Sequence, residues 1–265
     1  VSASLTQAIL HAATRLGLDR ASLLKHSDLS EEQLLDPDAR VPFSSQLQLW
    51  QTLSRLPLPE PGLEIGSNLA PGPFSVLGYL LQSSTTLGEA LQAALRYQRL
   101  VGEGGEVLLR ERKDAIELFY RPLHPQLPVT RIRVLSLMAS WVQMVDPLLE
   151  SFRLSKARFV HQQPDDISPY ERIFACPLEF GTSEYAILIP RELLDAPLIQ
   201  ANRPLQQVLR QHAEALLARL PSESLSVRVV AILGEQLAHG EPDRSELARA
   251  LNISERTLQR RLADE

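Results

Sequence analysis

Asp243-Arg244-Ser245-Glu246-Leu247-Ala248-Arg249-Ala250-Leu251-Asn252-Ile253-Ser254-Glu255-Arg256-Thr257-Leu258-Gln259-Arg260-Arg261-Leu262 encodes two short helices joined by a tight turn. Asp243 has the side chain to cap the first helix, and Glu246, three residues on, can reach back to the cap. The inward face of that helix is Leu247, Ala248 and Leu251. Asn252 falls where the turn calls for a left-handed residue, a conformation asparagine tolerates better than most. Ile253 plugs the corner and Ser254 caps the second helix. Leu258 and Leu262, four residues apart, are expected to face the core. Arg256, Gln259 and Arg260 then share the opposite, solvent-facing side.

A short helix presenting Arg, Gln and Arg suits the major groove of DNA. Arginine can donate to guanine O6 and N7 with both arms, and glutamine can pair with adenine N6 and N7. Ser254 and Thr257, near the helix N-terminus, can hold phosphate beside the backbone amides. Arg261 adds a third cation. A charged amphipathic hairpin also turns arginine outward for solvation alone, so the pattern by itself leaves both readings open. The run Ile253-Ser254-x-Arg256-Thr257-Leu258-x-Arg260-x-Leu262, after a helix of small residues, resembles the first helix-turn-helix of the AraC/XylS family of bacterial transcription regulators. That family's DNA-binding domain holds two such units. The resemblance therefore implies that a second unit and the helix joining the two are missing here, a C-terminal truncation.

Bulk composition sets limits. At 265 residues and 44% apolar content the chain can bury a substantial core, in one large or two smaller domains. Net charge is -5, and residues 221–265 carry six Arg against eight Asp or Glu, so there is no global attraction to nucleic acid. The favourable charge is confined to Arg256, Arg260 and Arg261. One cysteine, Cys176, precludes an internal disulfide and fits a reducing cytoplasm. No apolar run approaches the roughly 20 residues of a membrane span.

Upstream, residues 4–16 read as an amphipathic helix with Leu5, Ile9, Ala12 and Leu16 on one stripe and Ser4 as its cap. Short helices follow at Ala21–Lys25, at Glu31–Leu35 and from Pro42 through Leu53, then Gly62–Leu69 beyond a proline-rich break. Phe74–Gln82 is apolar on most sides, and Thr86 caps a helix whose stripe is Leu87, Ala90, Leu91, Ala94, Tyr97 and Val101. The period then changes to two: Glu106–Arg112 and Ala115–Arg121 form a hairpin around Lys113-Asp114. Ile132–Val145 is the most apolar helix, interrupted only by Arg133, Ser136, Ser140 and Gln143, and should run through the centre. Arg158–His161 and Tyr185–Ile189 read as strands, separated by a short helix near Tyr170–Phe174. The order predicts an α+β fold: a helix-rich N-terminal domain with a small antiparallel sheet, followed by an all-α helix-turn-helix segment.

Residues 204–220 form a helix with Leu205, Leu209, His212, Leu216 and Leu220 in steps of four and three, the spacing of a two-stranded seam. A dimer contact and packing on its own domain are both open. The expected organisation is 1–200 sensing domain, 201–220 connecting helix and 221–265 DNA-binding segment, whose first helix is Ser226–His239.

Pro73-Phe74-Ser75-Val76-Leu77-Gly78-Tyr79, Thr86-Leu87-Gly88-Glu89-Ala90-Leu91, Arg96-Tyr97, Tyr170-Glu171-Arg172-Ile173-Phe174, Cys176-Pro177-Leu178-Glu179-Phe180 and Ala201-Asn202-Arg203-Pro204 resemble the sensor domain labelled arabinose-binding type in AraC-family regulators. The resemblance implies an effector-binding module and does not name the effector.

Catalysis finds little support. The six histidines are scattered without metal-ligand spacing, Cys176 sits among apolar residues beside a proline, and Gly102-Glu103-Gly104-Gly105 reads as a turn. A small-molecule pocket is the more plausible site chemistry, being mostly apolar with a few convergent polar groups. Phe74, Leu77, Tyr97, Met138 and Trp141 are the candidate lining, against the plainer reading of the same stripe as core. Such a lining expects an apolar or amphipathic effector rather than a free sugar. Together these readings expect a ligand-responsive cytoplasmic regulator, a homodimer on double-stranded promoter DNA with RNA polymerase as a further partner and no cofactor, metal or membrane. The alternative is a sensor or adaptor that binds a protein instead of DNA.

Overall fold

In the computed structural model, helices α1 (Ala3–Arg15), α2 (Arg20–His26), α3 (Glu31–Leu34), α4 (Phe43–Leu53), α5 (Pro61–Ser67), α6 (Ser75–Ser83) and α7 (Leu87–Val101) precede a hairpin of β1 (Gly105–Glu111) and β2 (Ala115–Pro122). Helix α8 (Thr130–Val145), β3 (Lys156–Phe159), α9 (Ser168–Phe174), β4 (Leu178–Phe180), β5 (Tyr185–Pro190) and α10 (Arg203–Arg219) follow. Two further helices, α11 (Arg244–Ala250) and α12 (Glu255–Ala263), end the chain. The structure describes residues 1–69, 75–102, 104–220, 229, 232, 243–251 and 253–263, without the side chains of 75, 261 and 263. Phe74, Asn252, the Arg261 side chain and most of the expected 226–239 helix lie outside them. Two compact units result, Val1–Leu217 and Ala218–Glu265.

Helix α8 joins two hydrophobic clusters of the first unit. Leu135, Met138 and Ala139 pack with the sheet, α7 and α9. Ile132 and Met144 pack with α1, α2 and α4. Helix α5 lies so close behind α8 that a Cβ at Gly62 would collide with the Ile132 carbonyl, and one at Gly66 with the Ser136 carbonyl and the Ala139 side chain. Alanine normally favours a helix over glycine. At this contact the added methyl can be housed only by parting two backbones, so Gly66→Ala should cost about 1–3 kcal/mol. A shifted denaturation midpoint at constant slope checks this.

The sheet order is β1-β2-β5-β3-β4. Its first four strands pair antiparallel, as expected, but β3 and β4 pair parallel, Ala157 opposite Leu178 and Phe159 opposite Phe180. The sheet is therefore mixed. Three-residue β4 has no period to read, and it is reached through α9, a helical crossover that returns the chain in the same direction. Alternation gives the sheet two unlike faces. Leu109, Leu118 and Tyr120 turn toward α8, while Glu117, with no exposed side-chain surface, lies on the other face beneath Arg110, Arg112 and Arg158.

Helix starts follow cap chemistry. Ser2, extended at ψ 142, accepts from the Leu5 amide, so the cap of α1 lies two residues before the expected Ser4, which is buried instead. Thr86 caps α7 through the Glu89 amide at 3.3 Å. On α10, Gln206 and Ala213 are the buried positions. Gln206 donates to Ser84 Oγ at 3.2 Å, and Glu214 accepts from Arg96 and Tyr97 at 2.7 and 2.6 Å. The leucine seam lies beside this docked face, with Leu205 and Val208 45% and 63% exposed.

Candidate functional site

One face of α8 supplies Arg133, Ser136, Leu137, Ser140, Trp141, Met144 and Val145 to a cavity of about 190 Å³ in the first unit. Those spacings of three and four are a single helical stripe. Facing it are Leu87, Ala90, Leu91, Ala94, Gln98 and Val101 of α7. Ile9, Gln46, Trp50, Leu77 and Leu81 come from α1, α4 and α6, and Val107, Leu118 and Tyr120 from the hairpin. The walls are apolar apart from a few polar groups. Gln98 is spent on structure, donating to the Val107 carbonyl and accepting from its amide, which pins α7 to β1. Gln46, 3% exposed, has an Nε2 with no acceptor.

Arg133 supplies the cavity's cation. Its guanidinium lies 4.9 Å from the centre of the Phe43 ring and beside the Tyr120 hydroxyl. Burial pushes its pKa below the ordinary arginine value, partly opposed by Tyr120. Burial raises the Tyr120 pKa against the influence of the same arginine. Gly104 touches the guanidinium where any side chain would displace it.

Of the expected lining residues, Leu77 and Trp141 face the cavity. Met138 and Tyr97 do not. Met138 is wholly buried in the core on the other side of α8. Tyr97 is 1% exposed and sends its hydroxyl to Glu214, while its neighbour Gln98 takes the cavity position. Arg133, Ser136 and Ser140 were visible as the polar interruptions of the most apolar helix. Their shared face was the available signal. Gly104 and Gly105, read as a turn, form part of the cavity wall.

A second polar cluster is structural. His161 Nε2 lies 2.8 Å from the Tyr170 hydroxyl, which donates to Glu60, itself paired with Arg131. Burial, reinforced by Arg131, lowers the His161 pKa to about 4, so the ring is neutral. Burial also holds half-buried Cys176 as a thiol, its pKa raised to about 11, which does not suit a nucleophile. Among the described residues no group of three or more His, Cys, Asp or Glu is placed to hold a metal, and no helix is long and apolar enough to cross a membrane.

In the second unit Asp243 and Glu246 close a reciprocal capping box at 2.8 and 3.2 Å. The Ile253 amide donates to the Ala248 carbonyl, which shuts the turn. Ser254 caps α12 through the Thr257 amide at 3.2 Å and also bonds the Thr257 hydroxyl at 2.8 Å. Val229, Ala248, Leu251 and Leu258 form the small core. Ser254, Arg256, Gln259 and Arg260 are exposed and Thr257 is half-buried. Leu262 departs from expectation: it is 36% exposed, and the buried cluster of described residues that Leu258 joins does not include it.

The chain's resemblances agree with this architecture. Residues 17–198 match the arabinose-binding domain of AraC transcription regulators, N-terminal. The ornithine utilization regulator of Pseudomonas aeruginosa is 30% identical over 99% of this chain and 78% of its own length. An uncharacterized HTH-type transcriptional regulator of Mycobacterium bovis is 24% identical over 98% and 78%. The crystal structure of the transcriptional regulator CdpR from Pseudomonas aeruginosa shares the fold, with a TM-score of 0.56 at 23% identity over 92% of this chain and 77% of that one. The chain belongs to the AraC-type transcription regulators that carry an arabinose-binding-type N-terminal domain.

Proposed function

We propose that the protein is a ligand-responsive transcription regulator that reads promoter DNA with α12 and senses a small molecule in the cavity beside α8. The observation that carries the DNA reading is the outer face of α12. Arg256, Gln259 and Arg260, three and four residues apart, are exposed, and among the described residues no carboxylate pairs with either arginine. Ser254 and Leu258 hold the helix by its cap and its core side. Arg261 is assigned to the phosphate backbone with Ser254 and Thr257. Effector binding would act by favouring one of two states that differ in affinity for DNA. The seam on α10, with its Leu205 exposed and exposed Val208 beside it, supports a homodimer on paired half-sites. The ornithine regulator's name does not transfer its ligand: none of the described lining residues is an Asp or Glu to hold ornithine's ammonium groups.

Gln259→Ala or Arg260→Ala in the intact protein should cost about 1–3 kcal/mol at the cognate site and relax base preference at one position. Competition titrations against single-base operator variants check this. A uniform loss over all sequences would reassign the residue to phosphate.

The net charge of -5 favours a second reading, an adaptor whose terminal helices dock another protein. DNA binding that weakens steeply with salt separates the two.

A further inference from the structure

Among the described residues Arg133 is a cation without an anion. Several arginines of the first unit are matched with carboxylates: Arg131 with Glu60, Arg110 and Arg112 with Glu117, Arg158 with Glu117 and Glu179. Arg133 instead meets an aromatic ring, a phenol and a glycine. Among the described residues no carboxylate pairs with it, and none lines the cavity it faces. An uncompensated charge in apolar walls is unfavourable, and a carboxylate brought to it forms strong two-pronged hydrogen bonds. Burial already lowers the guanidinium's hold on its proton, a strain that a bound anion would relieve.

Gln46 is a second polar group in the cavity lining. It sits one turn beyond Phe43 on α4, and Phe43 carries Arg133 on its face. Its buried Nε2 lacks an acceptor, and buried donors are rarely left unmatched. From Arg133 the walls run along Leu77, Leu91 and Trp141, and the described lining holds no other charged side chain. Arg133 and Trp141 are eight residues apart on α8, about 12 Å at the helical rise. A volume of about 190 Å³, filled to the density of a protein interior, holds on the order of ten non-hydrogen atoms.

We infer that the cavity takes an amphipathic monoanion of that size: a carboxylate on Arg133 and Tyr120, with Gln46 donating to it, and an aliphatic chain lying toward Trp141. This rests on reading the cavity as the effector site. It narrows the effector to an acidic amphiphile and assigns Arg133 as the specificity-determining residue.

Calorimetric titration of the intact protein at neutral pH with octanoate, 1-octanol and octylamine tests the inference. The three share a chain and differ in head-group charge. Octanoate should bind at least tenfold more tightly than octanol, and octylamine most weakly. That order is read on the unaltered protein, so it survives any folding defect in a variant. Arg133→Met should remove the preference for octanoate while leaving octanol binding in place. Ala94→Phe, which fills the cavity, should abolish both. Octanol binding as well as octanoate, or a preference that persists in Arg133→Met, would overturn the acidic head-group assignment and leave the effector cavity standing; octanoate binding unaffected by Ala94→Phe would put octanoate outside the cavity and overturn the inference. Failure of all three to bind the unaltered protein would overturn the effector reading itself.

Discussion

Phe159→Ala is expected to lower the unfolding free energy of the first unit by about 3–5 kcal/mol, the range for truncating a phenylalanine in a core. Phe159 ends β3 with no exposed surface and stands at the centre of an aromatic cluster. The Tyr170 ring meets it edge-on at 4.9 Å, Phe174 at 5.3 Å, and Phe180 stacks on it at 5.1 Å. Each neighbour is tied elsewhere. Tyr170 donates to Glu60, Phe174 ends α9, and Phe180 belongs to β4. The rings cannot collapse into the space, so the cavity cost adds to the lost burial and ring contacts. Chemical denaturation with unchanged slope reads the loss. A value below about 1 kcal/mol would mean that the parallel β3–β4 corner does not contribute to the unit's stability.

The next largest effect is expected at Glu117. Its carboxylate accepts from Arg158 at 2.7 Å through one oxygen, and from Arg112 and Arg110 at 2.7 and 3.2 Å through the other. Breaking a buried ion pair costs about 3–5 kcal/mol when the remaining charge stays buried. These arginines are 30% to 48% exposed and can turn to water. Glu117→Ala should therefore cost less, about 2–3 kcal/mol. The pH dependence has a definite sign. Burial alone would raise the Glu117 pKa, but the hydrogen bond from Arg112 and the charges of Arg112, Arg110 and Arg158 together bring it below the ordinary value. A carboxylate with a depressed folded pKa stabilises fully above its unfolded pKa, about 4.3, and loses that contribution as pH falls through the folded value. The difference between wild type and Glu117→Gln should be flat at neutral pH and shrink in acid. A difference that grew in acid would contradict the assignment.

Much of this was readable from residue patterns where one local rule acted alone. The capping box at Asp243 and Glu246, the Thr86 cap, the β1–β2 hairpin and the course of α8 all follow from cap chemistry or periodicity. Failures came where tertiary contacts chose between near-equal options. On α7 both Tyr97 and Gln98 lie near the inner face; Tyr97 sends its hydroxyl to Glu214 on α10, and Gln98, held by the Val107 backbone, takes the cavity position. Met138 and Trp141 both belong to an apolar helix buried on two sides, so hydrophobicity could not separate core from lining. The sheet's parallel edge rests on three residues, too few for alternation to register. Arg133 interrupts the apolar run of α8, but its lack of a carboxylate partner among the described residues emerges only from the packed neighbourhood.

On the proposed function, the cavity of the first unit and helix α12 of the second belong to one switch. Linkage makes the coupling reciprocal: whatever factor the ligand applies to DNA affinity, DNA must apply to ligand affinity. The direct measurement is an octanoate titration of the intact protein with and without a saturating duplex of its own promoter. The apparent dissociation constant should change by at least about fivefold, in either direction, and octanoate should move DNA affinity by the same factor. Octanoate that binds equally well to free and DNA-bound protein would contradict the account.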